Sequence, residues 1–322
     1  MIPIRDTIES KRYPVINYSI IIANIFFYMV ELGRGEQLDR FFFIYGLVPA
    51  RYTSHHISSY FTFGQQIFSF LSFMFLHGGL FHLLGNMWSL YIFGDNVEDR
   101  LGHLRYLVFY LLSGIASGVV HIILNWGSPV PTIGASGAIA GVMGAYFILY
   151  PSSRILTLIP FFFIPYFIEI PAFFFLGIWF LMQFISATLS PPGIGGIAWW
   201  AHVGGFVLGI FFCKLFLKFE PFTLPERIQR ITQKKTTPRL HLIRPHYSDT
   251  DLDIYGDLIL SPHEAIYGTV KLISIPWGFQ RRLFRVKIPP GIRDGTVLRL
   301  EGMGRVMGSR RGNLYLRVIL RP

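Results

Sequence analysis

Long apolar runs recur through the first 220 residues and then stop, and a chain segment of that kind has no soluble solution. A bilayer core needs about 20 apolar residues per helix. The runs predict six transmembrane helices, at about residues 15–32, 70–93, 104–124, 134–150, 167–187 and 198–218. Glycine, proline or charge marks the breaks, as in Gly94-Asp95, Gly127-Ser128-Pro129, Pro151 to Arg154 and Ser190 to Gly193. With 52% hydrophobic and only 15% charged residues over 322 positions, the whole chain is too apolar for one soluble globule. The first run does not read as a cleaved signal peptide, because it continues into a long aromatic loop without an A-x-A-like site.

Charge divides the chain. Basic side chains outnumber acidic ones by 29 to 18, yet residues 1–213 hold nine of each, so the entire net charge of +11 falls in residues 214–322. Two parts in different solvents are expected. Loops on the N-terminal side carry Arg5, Lys11, Arg12, Arg100, Arg105 and Arg154, whereas the opposite side carries only Arg34, Arg40 and Arg51 in its first loop. The positive-inside rule then puts both termini in the cytoplasm, and a bacterial or archaeal plasma membrane is the expected location of this integral membrane protein. Beyond a polar, basic linker at 220–249, residues 250–322 switch to period two: Phe284, Val286 and Ile288 alternate with Arg285, Lys287 and Pro289, and Leu316, Val318 and Leu320 with Arg317, Ile319 and Arg321. The expected architecture is an all-α polytopic membrane domain at 1–219, the linker, and a small all-β sandwich.

Cys213 is the only cysteine, which excludes an internal disulfide framework, a thiolate zinc cluster and a CxxC redox pair. No metal or cofactor is expected. Polar side chains inside a span are costly and read as functional. Three clusters stand out: His77 to Asn86, Gly134 to Gly141, and Ala201 to Gly209. A serine hydroxyl becomes a nucleophile when a neighbouring base takes its proton, and histidine is the usual base near neutral pH. Ser136 and His202 form the obvious pair. Gly137, Gly141 and Gly144 on one span, with Gly205 and Gly209 on the other, would let the two backbones approach. If Ser136 opens its helix, backbone N–H groups point at the reacting carbonyl, and His82 and Asn86, four residues apart, could add side-chain donors to that oxyanion hole. His77 is assigned a supporting role, with Gly134, Gly137 and Gly205. Each element alone has a structural explanation, since such glycines pack helices and a lone histidine often makes only an interhelical bond.

Over residues 1–215 the sequence resembles the rhomboid family of intramembrane serine proteases, through Met1-Ile2-Pro3-Ile4-Arg5-Asp6, Phe75-Leu76-His77-Gly78-Gly79, His82 with Asn86, Glu98 with Gly102, Gly134-Ala135-Ser136-Gly137 and Ala201-His202-Val203-Gly204-Gly205. The resemblance implies a Ser136–His202 dyad without an acid partner, and an oxyanion hole from Ser136, His82 and Asn86. It also implies a cap near residues 188–198 and the fifth span as a lateral gate. The substrates implied are transmembrane proteins. The flanking Glu98 and Arg100 read as a surface ion pair, or as a pair that fixes the turn into the third span.

The tail, through Gly256 to Thr269, Val286 to Thr296 and Gly312-Asn313-Leu314-Tyr315, is similar to the C-terminal β-sandwich of DnaJ-type co-chaperones. That likeness implies a module that holds unfolded or extended client peptides by strand addition or groove docking. Lys214, Lys218, Arg227, Arg230, Lys234 and Lys235 suit attraction to an anionic leaflet of the lipid bilayer. Nucleic-acid binding needs base-stacking or groove-reading elements, which Arg281, Arg282 and Arg285 beside Trp277 and Phe279 only suggest, so nucleic acid is not an expected partner. The competing function is a catalytically silent membrane chaperone or adaptor that binds transmembrane clients; a solute transporter would call for matched halves with broken helices.

Overall fold

The computed structural model describes the chain except residues 9, 162–163, 191–195, 220–231, 233–239, 243–245, 248–251, 278–279, 308–309 and 321–322. It divides into two compact units, Met1–Lys234 and Lys235–Pro322.

In the first unit, strand β1 (Ile2–Asp6) precedes helix α1 (Val15–Leu32). Short helices follow at Leu38–Tyr45 (α2), Ala50–Thr53 (α3) and His55–Ser58 (α4), then α5 (Phe63–Ser72), α6 (Leu80–Leu101), α7 (His103–Leu124) and α8 (Ser136–Leu149). Strands β2 (Arg154–Phe161) and β3 (Ile164–Pro171) lead into α9 (Ala172–Leu189) and α10 (Trp199–Lys218). Four helices, α1, α7, α9 and α10, are long and apolar enough to cross a membrane, and α5 with α6 makes a fifth span if the 80° bend between them is counted as one broken crossing. The six predicted spans are therefore reduced to four or five by length and composition. Helix α8, at 14 residues, rises only about 21 Å, short of a bilayer core. It is instead the centre of the unit: every residue from Gly137 to Tyr146 is buried, as expected for a helix surrounded on all sides. The outward faces of α1, α9 and α10 expose Ile22, Phe26, Met29, Phe173, Phe174 and Phe211, a surface suited to lipid.

Two predicted boundaries are corrected. The second span does not run from 70 to 93; Gly78-Gly79 interrupt it, and the long helix begins at Leu80 and continues to Leu101. The fifth span does not start at 167, because Ile164–Pro171 is a strand, bounded near its ends by Pro165 and Pro171. It pairs antiparallel with β2 from Phe161↔Ile164 to Arg154↔Pro171, and β2 pairs on its other edge with β1, from Ile2↔Leu158 to Asp6↔Ile155. The Glu98 assignment also changes. Glu98 is 1% exposed; it accepts hydrogen bonds from the backbone N–H groups of Ile16 and Asn17 at 3.0 and 2.8 Å and contacts the His103 ring. A carboxylate placed there satisfies the otherwise unpaired amides of the first turn of α1 and complements its dipole.

The second unit contains β4 (Leu240–Leu242), β5 (His246–Tyr247), β6 (Ile254–Leu260), a short helix α11 (Pro262–Tyr267), β7 (Thr269–Trp277), β8 (Gln280–Ile288), β9 (Val297–Leu300), β10 (Val306–Met307), β11 (Arg310–Arg311) and β12 (Leu314–Leu320). One sheet has the order β5-β6-β12-β9, with β6 and β12 parallel from Leu314↔Ile254 to Leu320↔Leu260; the other has the order β4-β7-β8, and β10 pairs with β11. Alternate residues of β6 and β12 meet Ile273, Val286 and Ile288 of the second sheet in a single core with Ile254, Leu258, Leu260, Leu314, Leu316 and Val318, which is how period-two strands form a sandwich. Helix α11 begins with a capping box between Ser261 and Glu264. Most of the predicted linker, with Arg227, Arg230, Lys234 and Lys235, lies outside the described residues, as does Phe279.

Candidate active site

Ser136 is the first residue of α8, and His202 lies in the first turn of α10. Their meeting depends on how closely these helices pack. A methyl group added at Gly205 would sit 2.1 Å from the carbonyl oxygen of Gly137, and one at Gly209 would sit 2.4 Å from Gly141 Cα. Any side chain there would force the helices apart. Gly137 itself faces α7, where an added methyl would meet Ser117 Oγ at 2.1 Å. With the backbones in contact, His202 Nε2 lies 2.7 Å from Ser136 Oγ.

Gly134 opens the approach to α8 in a left-handed conformation (φ +132°) that other residues rarely adopt. A methyl group on it would lie 2.9 Å from Cε1 and Nε2 of His82. The His82 ring therefore covers the turn that presents Ser136. Asn86 follows one helical turn along α6; it is 8% exposed, and its Nδ2 has no hydrogen-bond acceptor in the structure. His77 sits in the bend before α6 rather than on a helix. It is buried, its ring is 5.1 Å from that of His82, and its backbone N–H donates to the carboxylate of Glu31 at 3.0 and 3.2 Å. Of the predicted residues, Ser136 and His202 are in direct contact, His82 lies against Gly134 in the turn before Ser136, His77 lies against His82, Gly137 and Gly205 meet where α8 and α10 touch, and Asn86 lies one turn along α6 from His82.

Two polar residues at or near the site were not predicted from sequence. Gln183 on α9, 7% exposed, places Oε1 2.7 Å from His202 Nδ1. His121 on α7 bonds Thr132 through Nε2 at 2.7 Å, in the segment that leads to Gly134. Around the His202 ring stand Trp179, at 6.1 Å between centroids, and Trp199, at 6.2 Å and nearly perpendicular. Among the described residues, no group of three His, Cys, Asp or Glu side chains converges as a metal site would require. Residues 191–195 of the predicted cap lie outside the described residues.

Chemically, the arrangement is a hydroxyl at a helix N-terminus bonded to an imidazole. Residues 64–219 match the rhomboid domain, and residues 243–322 match the DnaJ C terminal domain. Among curated relatives, the chain is 29% identical over 164 residues to RHOMBOID-like protein 6, mitochondrial, of Arabidopsis thaliana, covering 48% of this chain and 44% of that protein. It is 39% identical over 79 residues to Rhomboid protease GluP of Bacillus subtilis (strain 168), covering 24% and 15%. It is 30% identical over 146 residues to the human Presenilin-associated rhomboid-like protein, mitochondrial, covering 43% and 35%. The matches span less than half the length of each of these relatives. Because they come from a plant, a bacterium and an animal, two with mitochondrial names, they do not support the expectation of a bacterial or archaeal membrane. The helices and the two matched regions together identify the chain as an integral membrane protein that carries a rhomboid domain followed by a DnaJ C terminal domain.

Proposed function

We propose that the chain is an intramembrane serine endopeptidase that hydrolyses peptide bonds in or near transmembrane segments of other proteins. The observation that carries this reading is the 2.7 Å contact between Ser136 Oγ and His202 Nε2, made by two side chains from separate helices in a membrane domain. Ser136 gives its proton to His202 Nε2 as Oγ attacks the scissile carbonyl carbon. The oxygen becomes an oxyanion, and the amides at the start of α8 with the side chains of His82 and Asn86 donate to it. Collapse breaks the C–N bond, and His202 returns the proton to the departing amine. Water, deprotonated by the same imidazole, then releases the acyl group and regenerates the hydroxyl.

A transmembrane helix has its backbone groups bonded internally, so a substrate must unwind before its carbonyl can reach Ser136. Helix-breaking residues near the membrane surface lower that cost. Loop charge supports a topology with both termini cytoplasmic, and the β-sandwich then serves as a client-binding module on that side. The test is labelling of the purified full-length protein by a serine-directed fluorophosphonate. Covalent labelling that disappears in Ser136→Ala is expected; no labelling of a folded wild-type protein would favour a silent binder of transmembrane clients.

A further inference from the structure

We propose that Gln183 is a positioning residue for the base: its side-chain carbonyl accepts the Nδ1–H of His202 and so holds the imidazole in the tautomer whose Nε2 can take a proton from Ser136. This inference rests on the protease reading and adds to the Ser–His pair a third residue from a third helix. A neutral imidazole carries one N–H, and a carboxamide oxygen can only accept. With Gln183 Oε1 2.7 Å from Nδ1, the hydrogen sits on Nδ1 and Nε2 presents its lone pair to Ser136 Oγ, also at 2.7 Å. In the other tautomer, Nε2–H would point at the hydroxyl and could not remove its proton. The ring nitrogen remote from the reaction is often fixed in this way by a hydrogen-bond partner.

Two further features support the assignment. Trp179 and Gln183 are four residues apart and share one face of α9; the indole lies along the imidazole at 31° while the amide bonds its edge, so ring orientation and tautomer are set from the same helix. The acceptor is also neutral. Among the described residues, no carboxylate bonds His202, and a buried charge among membrane helices is expensive. An amide selects the tautomer without that cost. Because base and acceptor sit on α10 and α9, the tautomer depends on these two helices keeping their register.

The experiment uses the full-length protein in detergent micelles and an alkyl fluorophosphonate as probe, separating the maximal labelling rate from the probe concentration at half-saturation. For Gln183→Leu, the maximal rate is expected to fall by at least about 10-fold, up to the roughly 10⁴-fold cost of holding a catalytic imidazole in the wrong tautomer, with the half-saturating concentration unchanged. Gln183→Glu, which keeps the acceptor oxygen, should restore most of the rate. In parallel, ¹⁵N-histidine spectra should show the proton of His202 on Nδ1 in the wild type and a mixture of tautomers in Gln183→Leu. If Gln183→Leu does not fold, Gln183→Asn, which draws the oxygen back by one methylene, replaces it. A wild-type proton on Nε2, or an unchanged labelling rate in a folded variant, overturns the role of Gln183 alone. Absence of Ser136-dependent labelling in the wild type overturns the protease reading, while the spectra still report on the tautomer.

Discussion

Asn86 keeps an amide donor buried without an acceptor, an arrangement that normally costs about 1–3 kcal/mol. On the proposed reading, this donor is available to an oxyanion that forms only during reaction. Removing it should separate folding from chemistry. Asn86→Ala is expected to leave the thermal unfolding midpoint unchanged or higher, and to lower the rate of fluorophosphonate labelling by about 10²- to 10³-fold, the usual cost of losing one oxyanion donor. A lower midpoint with an unchanged rate would make Asn86 a structural residue. The contact between Ser136 and His202 and the nearness of His82 to the Ser136 turn were legible in the sequence, because each of these side chains is a costly polar group set among glycines or at helical spacing within an apolar run. Gln183 was not. It is a single amide within an apolar helix, with no motif around it, and its partner is 19 residues away on another helix. Glu98 was misread for the same reason: its bonds to Ile16 and Asn17 cross more than 80 positions of sequence, while Arg100 stood two residues away and looked like its partner.

Among the elements, hydropathy located the helices but not their interruptions. Residues 70–79 are apolar enough to extend a span, yet Gly78-Gly79 bend the chain; residues 164–170 are mostly apolar and run directly into α9, yet they form a strand because β1 and β2 supply a sheet to join. That three-stranded sheet carries its own titration. Oδ2 of Asp6, on β1, accepts from Tyr146 Oη of α8 at 2.5 Å and from Asn96 Nδ2 of α6 at 2.8 Å. Burial pushes its carboxyl up from 3.8 to about 6, against the Tyr146 and Asn96 hydrogen bonds, and repulsion from Asp95 adds to the rise. The folded protein therefore holds this proton more tightly than the unfolded chain. The resulting stability is fully present below about pH 4 and is lost as pH rises through about 6. The unfolding midpoint of the wild type should fall over that window more steeply than that of Asp6→Asn. Parallel pH profiles would show that the strand does not report on Asp6.

At the scale of the molecule, the partition of charge at residue 213 already separated two solvents, and the structure places a separate hydrophobic core in each unit, one around Leu90, Phe93, Tyr106 and Ala140 and the other around Leu258, Ile273, Leu314 and Leu316. Sequence patterning could indicate two cores because each has its own period, whereas the parallel β6–β12 pairing could not be read, since register between distant strands leaves no local mark. Two cores predict two unfolding transitions, since separate domains need not unfold as one. Each transition can be moved alone. Gly205→Ala places a methyl group where the Gly137 carbonyl lies, and the overpacking should cost about 1–3 kcal/mol. In the sandwich, Lys271 Nζ is 2.6 Å from Glu264 Oε1; Lys271 is 7% exposed and Glu264 29%. Glu264→Gln leaves that ammonium without its counter-charge, which should cost about 1–2 kcal/mol, less than for a fully buried pair because water reaches the glutamate. In scanning calorimetry of the full-length protein, Gly205→Ala should lower one midpoint and Glu264→Gln the other. A single transition that both substitutions shift would mean that the rhomboid and DnaJ-type units unfold as one cooperative body.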